Sequence, residues 1–176
     1  GSTSTFNTLW RQIGENLGHY KSYPKIVGET GGKNFIFAHP SAPALDVATA
    51  IVRGAFEYQG QKCSACSRVI VLDAIYDTFV QRLALAAQSL RIGPAENPEN
   101  FLGPLADASL QKNVLEYIEI AEAEGKTLVK RSDLPDKGAY VPLLIVEDVM
   151  PEHRIAQEES SAGARRDAGQ GFRRGP

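Results

Sequence analysis

Long hydrophobic runs are missing from this chain of 176 residues. No apolar stretch approaches the roughly 18 residues that a membrane-spanning helix needs, and no basic segment followed by an apolar run marks a signal peptide. Neither sign of charge dominates, because 19 basic and 21 acidic residues give a formal net charge of −2. These absences argue against a membrane protein and against a nucleic-acid-binding protein. We therefore expect a cytoplasmic protein or, in a eukaryote, one of the mitochondrial matrix.

Cysteine is scarce, since Cys63 and Cys66 are the only two in the sequence. Cysteines three positions apart are compatible with a redox pair, with half of a metal site, or with one nucleophile beside a buried neighbour. A zinc site needs two more ligands, and the histidines His19, His39 and His153 are too far apart to supply them as a cluster. No metal site is predicted. A thioredoxin-like pair stays open, although the aromatic and proline flanks typical of one are missing.

A phosphate-binding Gly-x-Gly-x-x-Gly turn is also absent. The composition is otherwise that of an ordinary globular domain, with 43% hydrophobic and 23% charged residues. Apolar residues at helical spacing alternate with short β-branched runs, which predicts an α/β fold with an open, largely parallel sheet and flanking helices. The predicted helices cover residues 4–20, 45–55, 75–90 and 110–125. The predicted strands cover residues 25–28, 35–38, 69–72, 127–129 and 140–146.

The segment Gly60-Gln61-Lys62-Cys63-Ser64 places a thiol behind a glycine turn and beside a lysine. We expect a helix to begin here, and both a helix N-terminus and a neighbouring cation favour the reactive thiolate. A cysteine in a random setting is more often a small buried hydrophobe. In this setting Cys63 is predicted to be a nucleophile. Cys66 is expected one helical turn further on, as a packing residue without an assigned role.

The segment Val27-Gly28-Glu29-Thr30-Gly31-Gly32-Lys33-Asn34 carries a carboxylate before a flexible glycine pair. Glu29 is expected at the end of a strand, where it is a candidate base. This segment and Tyr58-Gln59-Gly60-Gln61-Lys62-Cys63-Ser64-Ala65-Cys66 together resemble the two active-site halves of the aldehyde dehydrogenase superfamily. The amino-acid sequences of both segments look most like those of the 1-pyrroline-5-carboxylate dehydrogenase branch. The resemblance runs from about Phe6 to Glu159.

The resemblance implies a role for each matching residue. Cys63 would form a thiohemiacetal with the aldehyde and then a thioester, and Glu29 would activate the water that cleaves the thioester. Lys62 and Ser64, which flank the nucleophile, would hold the α-carboxylate end of the substrate. Glu159, the second residue of an acidic pair, would contact the ribose of the nicotinamide.

The resemblance also implies that this chain is a fragment of a catalytic domain. The parent reaction would be the NAD-dependent oxidation of glutamate 5-semialdehyde, or 1-pyrroline-5-carboxylate, to glutamate in proline degradation. NAD is the cofactor expected of the full-length family, and none is expected to bind this fragment because the phosphate-binding turn is missing. The expected partners are a small aldehyde and, through exposed sheet edges, a second copy of the chain.

The family pattern divides the chain into three parts. Residues 1–24 are interpreted as the last helix of a cofactor-binding domain, residues 25–159 as the thiol-bearing catalytic domain, and residues 160–176 as a tail outside the family pattern. Ser161 stands in this tail where the family has an aromatic residue. A shifted reading frame is one explanation, and we expect the arginine- and glycine-rich tail to be disordered.

Two other classes of function remain open on the sequence alone. One is a non-catalytic scaffold domain that associates with itself through surfaces left uncovered. The other is a thiol-based redox or hydrolase module that uses Cys63 without a dinucleotide.

Overall fold

The computed structural model describes residues 1–157 and the backbone of residues 169–175. In this part of the chain the α-helices are α1 (Thr3–Glu15), α2 (Ala44–Phe56), α3 (Tyr76–Gln88), α4 (Ala108–Glu124) and α5 (Arg154–Gln157). The strands are β1 (Asn34–Ala38), β2 (Cys66–Leu72), β3 (Lys126–Arg131), β4 (Leu143–Glu147) and β5 (Gly169–Gly175). None of the helices described is both long and apolar enough to cross a membrane.

The strands form one sheet in the order β1-β2-β5-β4-β3. β1 pairs with β2, β2 with β5, and β5 with β4 in parallel, whereas β3 lies antiparallel to β4. The prediction of an open, largely parallel sheet with flanking helices is therefore confirmed. Because parallel strands start at the same edge of a sheet, the residues that precede β1 and β2 are brought to one end of the molecule.

Two apolar layers cover the sheet, one on each face. The residues of β4 are buried along the whole strand, as expected for a strand covered on both faces. Alternate side chains of this strand pack into opposite layers. Leu143 and Ile145 pack with α2 and α3, around the fully buried Phe79, whereas Leu144 and Val146 pack with α4.

Local sequence signals explain where the helices begin and end. The Ser2 hydroxyl accepts a hydrogen bond from the Thr5 N–H at 3.0 Å and so caps α1, which confirms the first predicted helix. Asp107 caps α4 in the same way, through the Leu110 N–H at 2.8 Å. α4 ends at Glu124, directly before the glycine at which the sequence predicts a stop. In contrast to α2, α3 and α4, α1 contributes no buried residue.

The strand predicted at residues 25–28 is absent, so that prediction is wrong. The segment has no regular secondary structure, and its Val27 side chain is 90% exposed. Among the described residues, β1 is an edge strand whose only partner is β2, so the preceding segment has no ladder to join. Glu29 consequently lies in an irregular stretch and not at the end of a strand.

The expectation of disorder is wrong for residues 169–175, which form the central strand β5. Arg68–Leu72 of β2 pair with Gly171–Gly175, and Leu144–Val146 of β4 pair with Gly169–Gly171. The expectation of disorder considered only side-chain burial. A ladder is made by backbone groups, and residues 169–175 contain no proline that would remove a donor. Residues 160–168 and Pro176 lie outside the described residues.

The position of β5 predicts that truncation destabilises the fold. Removing residues 169–176 should lower the melting temperature by at least about 10 °C, because β2 and β4 each lose a paired strand and each backbone hydrogen bond contributes about 1 kcal/mol. Thermal unfolding followed by circular dichroism measures the change. Removing only Pro176 is the matched control and should leave the melting temperature unchanged. Equal melting temperatures for both truncations would contradict a stabilising role for β5.

Candidate active site

A left-handed stretch separates α2 from the turn that carries Cys63. Tyr58, Gln59 and Gly60 have φ values of 56°, 55° and 69°. Such values cost a residue other than glycine roughly 1–2 kcal/mol. At Gly60 a Cβ atom would also lie 2.9 Å from the Ala55 carbonyl oxygen, so a side chain does not fit. The stretch ends α2 and reverses the chain toward β2.

Cys63 lies exposed in a tight turn between this stretch and β2. The Ala65 N–H closes the turn by donating to the Lys62 carbonyl at 3.1 Å. The helix predicted to begin here does not form. The β-branched residues Val69, Ile70 and Val71 favour a strand instead, and that strand, β2, already begins at Cys66. The thiol therefore receives no help from a helix dipole, and its accessibility comes from the turn.

Cys66 is the first residue of β2 and not a helical residue, which corrects the expected spacing. It is 4% exposed and packs in the core with α2. Burial raises the pKa of the Cys66 thiol, which donates a hydrogen bond to the Arg68 carbonyl at 3.2 Å. The two cysteines therefore differ in environment, one open to solvent and one held as a buried thiol.

The structure brings the Gly31-Gly32-Lys33-Asn34 segment against the Cys63 turn. The Asn34 side-chain amide donates to the Cys63 carbonyl at 2.6 Å. A Cβ atom on Gly32 would lie 3.2 Å from the same carbonyl oxygen, so glycine permits the close approach. The two motifs that the sequence singles out are thus neighbours in space.

Glu29 lies two positions before this segment in the sequence, next to the amino-terminal residue Gly1. Its side chain is exposed, and its backbone carbonyl accepts a hydrogen bond from the N-terminal ammonium of Gly1 at 2.9 Å. The adjacent Gly28 lies against the Phe6 ring, which a Cβ atom at this position would contact at 2.8 Å. The amino-terminal helix therefore supports the backbone next to the candidate base.

Lys62 is held by two neighbours that sequence reasoning missed. Its ammonium lies 2.7 Å from the Glu57 carboxylate and 5.4 Å from the centre of the Tyr58 ring. The hydrogen bond from Lys62, together with its charge, lowers the pKa of Glu57. Glu57 and Lys62 are five positions apart, so the three- or four-residue spacing of helical neighbours does not predict their contact. They meet because the left-handed stretch between them folds the chain back on itself.

The remaining predicted site residues fall in two places. Ser64 follows Cys63 in the same turn and is exposed. Glu159 lies outside the described residues. Within the described part of the chain, no group of three or more histidine, cysteine, aspartate or glutamate side chains is arranged to hold a metal ion.

A model of the aldehyde dehydrogenase family matches residues 1–162, which is most of the chain. The chain belongs to the aldehyde dehydrogenase family. Among curated relatives, the mitochondrial delta-1-pyrroline-5-carboxylate dehydrogenase of Emericella nidulans is 42% identical over 163 residues, and that of Homo sapiens is 36% identical over 162 residues. Both alignments cover 90% of this chain but only 28% and 29% of the relatives, so this family member spans less than a third of their length.

Solved structures of the family agree with the fold. The delta-pyrroline-5-carboxylate dehydrogenase from Mycobacterium tuberculosis, described as bound with NAD and cobalamin, is 34% identical with a TM-score of 0.84. That alignment covers all of this chain and 32% of the other. A 1-pyrroline-5-carboxylate dehydrogenase from Thermus with bound NAD is 33% identical with a TM-score of 0.73, over 82% of this chain and 27% of the other.

The two thiols should differ in reactivity. We expect iodoacetamide to alkylate Cys63 at least about tenfold faster than Cys66, because Cys63 is exposed whereas Cys66 is buried with a raised pKa. Peptide mass spectrometry at timed intervals measures both rates in the native protein. In urea the two rates should converge, which provides the control. Equal rates in the native protein would contradict the assignment of the two environments.

The Glu57–Lys62 pair should be visible in a titration. Carbon NMR should give Glu57 a pKa below the ordinary glutamate value, and Lys62→Gln should raise it. Arg53→Gln is the comparison variant and should raise it less, since the Arg53 contribution is smaller. Because the folded-state pKa is lowered, the pair stabilises the protein above the ordinary glutamate pKa, and this contribution is lost as the pH falls through the lowered value. An unchanged Glu57 pKa in Lys62→Gln would refute the pairing.

Proposed function

We propose that this chain is the thiol-bearing part of the catalytic domain of an NAD-dependent aldehyde dehydrogenase. The proposed reaction is the oxidation of glutamate 5-semialdehyde, in equilibrium with 1-pyrroline-5-carboxylate, to glutamate. The observation that carries the proposal is the exposed Cys63, held by the Asn34 amide against the segment that contains Glu29. The names of the relatives, delta-1-pyrroline-5-carboxylate dehydrogenases, support the choice of substrate.

In this proposal Cys63 and Glu29 carry the covalent chemistry. The Cys63 thiolate adds to the aldehyde carbon, so that a C–S bond forms and the carbonyl electrons move to oxygen. Loss of hydride from that carbon to NAD, the acceptor that the full-length family would supply, would leave a thioester. Glu29 then takes a proton from water, the resulting hydroxide adds to the thioester carbon, and the C–S bond breaks to release the acid and the thiolate. The exposure of both side chains is compatible with access of substrate and water.

Lys62 and Ser64 are proposed to hold the α-carboxylate of the substrate. Both flank the nucleophile, and a cation with a hydroxyl is suited to bind a carboxylate. Lys62 is already engaged by Glu57. A substrate carboxylate would therefore share the ammonium with Glu57 or displace it.

NAD would supply the acceptor for the hydride. The described residues do not themselves fit a dinucleotide, since the sequence has no Gly-x-Gly-x-x-Gly turn and Glu159 lies outside the described part. We therefore propose that NAD belongs to the full-length family and does not bind this chain alone. Residues 1–24 as a remnant of a cofactor-binding domain, and 160–176 as a frame-shifted tail, stay predictions.

The exposed faces favour self-association as a second candidate function. α1 buries none of its residues, and Leu9 and Trp10 are nearly half exposed. On the edge strand β1, Phe35 and Phe37 are more than half exposed. An edge strand with apolar side chains tends to pair with another chain. We propose a homo-oligomer through these surfaces, in the cytoplasm or in the mitochondrial matrix; the names of several relatives include the word mitochondrial.

A chimera tests the proposed reaction. Residues 1–157 of this chain replace the matching segment of the Mycobacterium tuberculosis enzyme, and reduction of NAD by glutamate 5-semialdehyde is measured. Cys63→Ser should abolish activity, because the nucleophile is lost, and Glu29→Gln should lower kcat by about 100-fold or more. Cys66→Ser is the matched control and should retain most activity. A folded chimera that binds NAD but is inactive, or an active Cys63→Ser variant, would contradict the proposal.

A further inference from the structure

Lys62 is held both at its backbone and at its ammonium. Its N–H donates to the Gly60 carbonyl at 2.9 Å, and its carbonyl accepts from the Ala65 N–H at 3.1 Å. At the far end of the side chain, the ammonium donates to the Glu57 carboxylate at 2.7 Å. Among the residues that the structure describes, this carboxylate is the only acceptor of the ammonium. The lysine beside the candidate nucleophile is therefore already bound to a carboxylate of the protein itself.

The left-handed stretch makes this pairing possible. The backbone reverses through Tyr58 and Gln59, whose φ values are 56° and 55°. Such values are unfavourable for residues other than glycine, and they cluster at functional sites. The reversal also places the Tyr58 ring centre 5.4 Å from the Lys62 ammonium. Because an aromatic face attracts a cation, the ring and the Glu57 carboxylate together fix the position of the ammonium.

The pair is open to solvent and can be exchanged. The Lys62 side chain is 37% exposed and the Glu57 side chain is 47% exposed. Exposed ion pairs are weak, since the loss of side-chain freedom and the screening by water offset most of the attraction. The carboxylate of a ligand is chemically equivalent to the Glu57 side chain. It can therefore replace Glu57 on the ammonium at a small cost in free energy.

Adjacency in the chain brings this exchange next to the thiol. The Lys62–Cys63 peptide is trans, which places the two Cα atoms about 3.8 Å apart. An anion that reaches the exposed Cys63 thiol is therefore a neighbour of Lys62. While Glu57 occupies the ammonium, however, the pair carries no net charge. A carboxylate at the thiol meets a free cation only where the pair has opened.

We infer that Glu57 is a specificity-determining residue: its carboxylate occupies the Lys62 ammonium and must be displaced by the carboxylate of any substrate that binds there. The apparent affinity for an anion is then reduced in proportion to the fraction of molecules in which Lys62 is free. An aldehyde without a carboxylate leaves the pair intact. The inference rests on the proposed function for the role of Lys62 as the carboxylate anchor, whereas the displacement concerns any carboxylate that reaches Cys63.

Two alkylating reagents of similar size measure the displacement. With iodoacetate and with iodoacetamide, the Cys63 thiolate attacks the CH₂ carbon, a C–S bond forms and iodide leaves. The reagents differ because iodoacetate carries a carboxylate where iodoacetamide carries a neutral amide. The thiolate fraction is the same for both and cancels, so the ratio of their rates reports the preference for an anion. The measurements use the whole chain with Cys66→Ser, so that only Cys63 reacts.

Glu57→Gln should raise the iodoacetate-to-iodoacetamide ratio by about threefold to fivefold, the factor expected when an exposed ion pair is removed. Glu57→Ala should act in the same direction, because it also lacks the carboxylate. In a Lys62→Gln background there is no ammonium to occupy. Adding Glu57→Gln to that background should therefore change the ratio by about 1.5-fold at most.

Glu122→Gln is the matched control. Glu122 accepts from the Lys130 ammonium at 2.6 Å, and the exposed fractions of these two side chains are 31% and 39%. This pair joins α4 to β3, which lies at the opposite edge of the sheet from β1. The control removes the same charge as Glu57→Gln and should leave the ratio unchanged.

The chimera described above tests the consequence for the substrate. Glu57→Gln should lower the KM for glutamate 5-semialdehyde by about threefold to fivefold, with kcat within about twofold. The KM for propanal, which has no carboxylate, should stay unchanged. A raised KM for both aldehydes would contradict the inference and make Glu57 a support of the thiol turn alone.

Several results with the whole chain would also overturn the inference. An unchanged ratio in both Glu57 variants would show that Glu57 does not restrict anions, and loss of the native fold in both would make it a stability element. An equal rise with and without Lys62 would assign the effect to charge repulsion. A similar rise in Glu122→Gln would assign it to net charge. Failure of the proposed function is a separate result: an inactive chimera combined with a Lys62-dependent rise would reject the dehydrogenase assignment but retain the displacement of Glu57.

Discussion

The parallel pairing of β1 with β2 is the constraint on which the candidate site depends. Parallel neighbours begin at the same edge of a sheet, so the residues before Asn34 and those before Cys66 must meet there. One of these segments contains Glu29 and the other contains Cys63. Neither segment has regular secondary structure of its own at these residues. Their proximity is therefore a product of strand direction, and the Asn34 amide then fixes the contact.

The sequence was sufficient for the class of fold and for the motifs, but not for the local geometry around Cys63. Helical periodicity and the glycine after α4 predicted that helix well, because capping and amphipathicity are local properties. The helix expected at Cys63 failed because three left-handed residues and a β-branched run compete there. The contact made by Asn34 could not be read from the sequence at all, since its partner lies 29 positions away, beyond α2.

Residues 169–175 show a different limit of sequence reasoning. Their composition has few groups to bury, which is why disorder was expected. A central strand, however, is held by backbone hydrogen bonds to both neighbours, and these depend on strand geometry more than on side-chain type. Composition therefore indicates how much apolar side-chain area a segment can bury. It does not indicate whether the backbone of the segment can pair with a strand on each side.

The contrast between α1 and β4 sets a gradient of local stability across the molecule. β4 is buried along its whole length, whereas α1 buries none of its residues. Amide hydrogens of β4 should therefore exchange with solvent only through global unfolding, while those of α1 should exchange through fraying that costs little free energy. The backbone beside Glu29 is supported by Gly1, which precedes this labile helix, and by Phe6 in its first turn. The candidate base thus belongs to a region that opens before the core does, whereas the thiol turn is tied directly to the sheet.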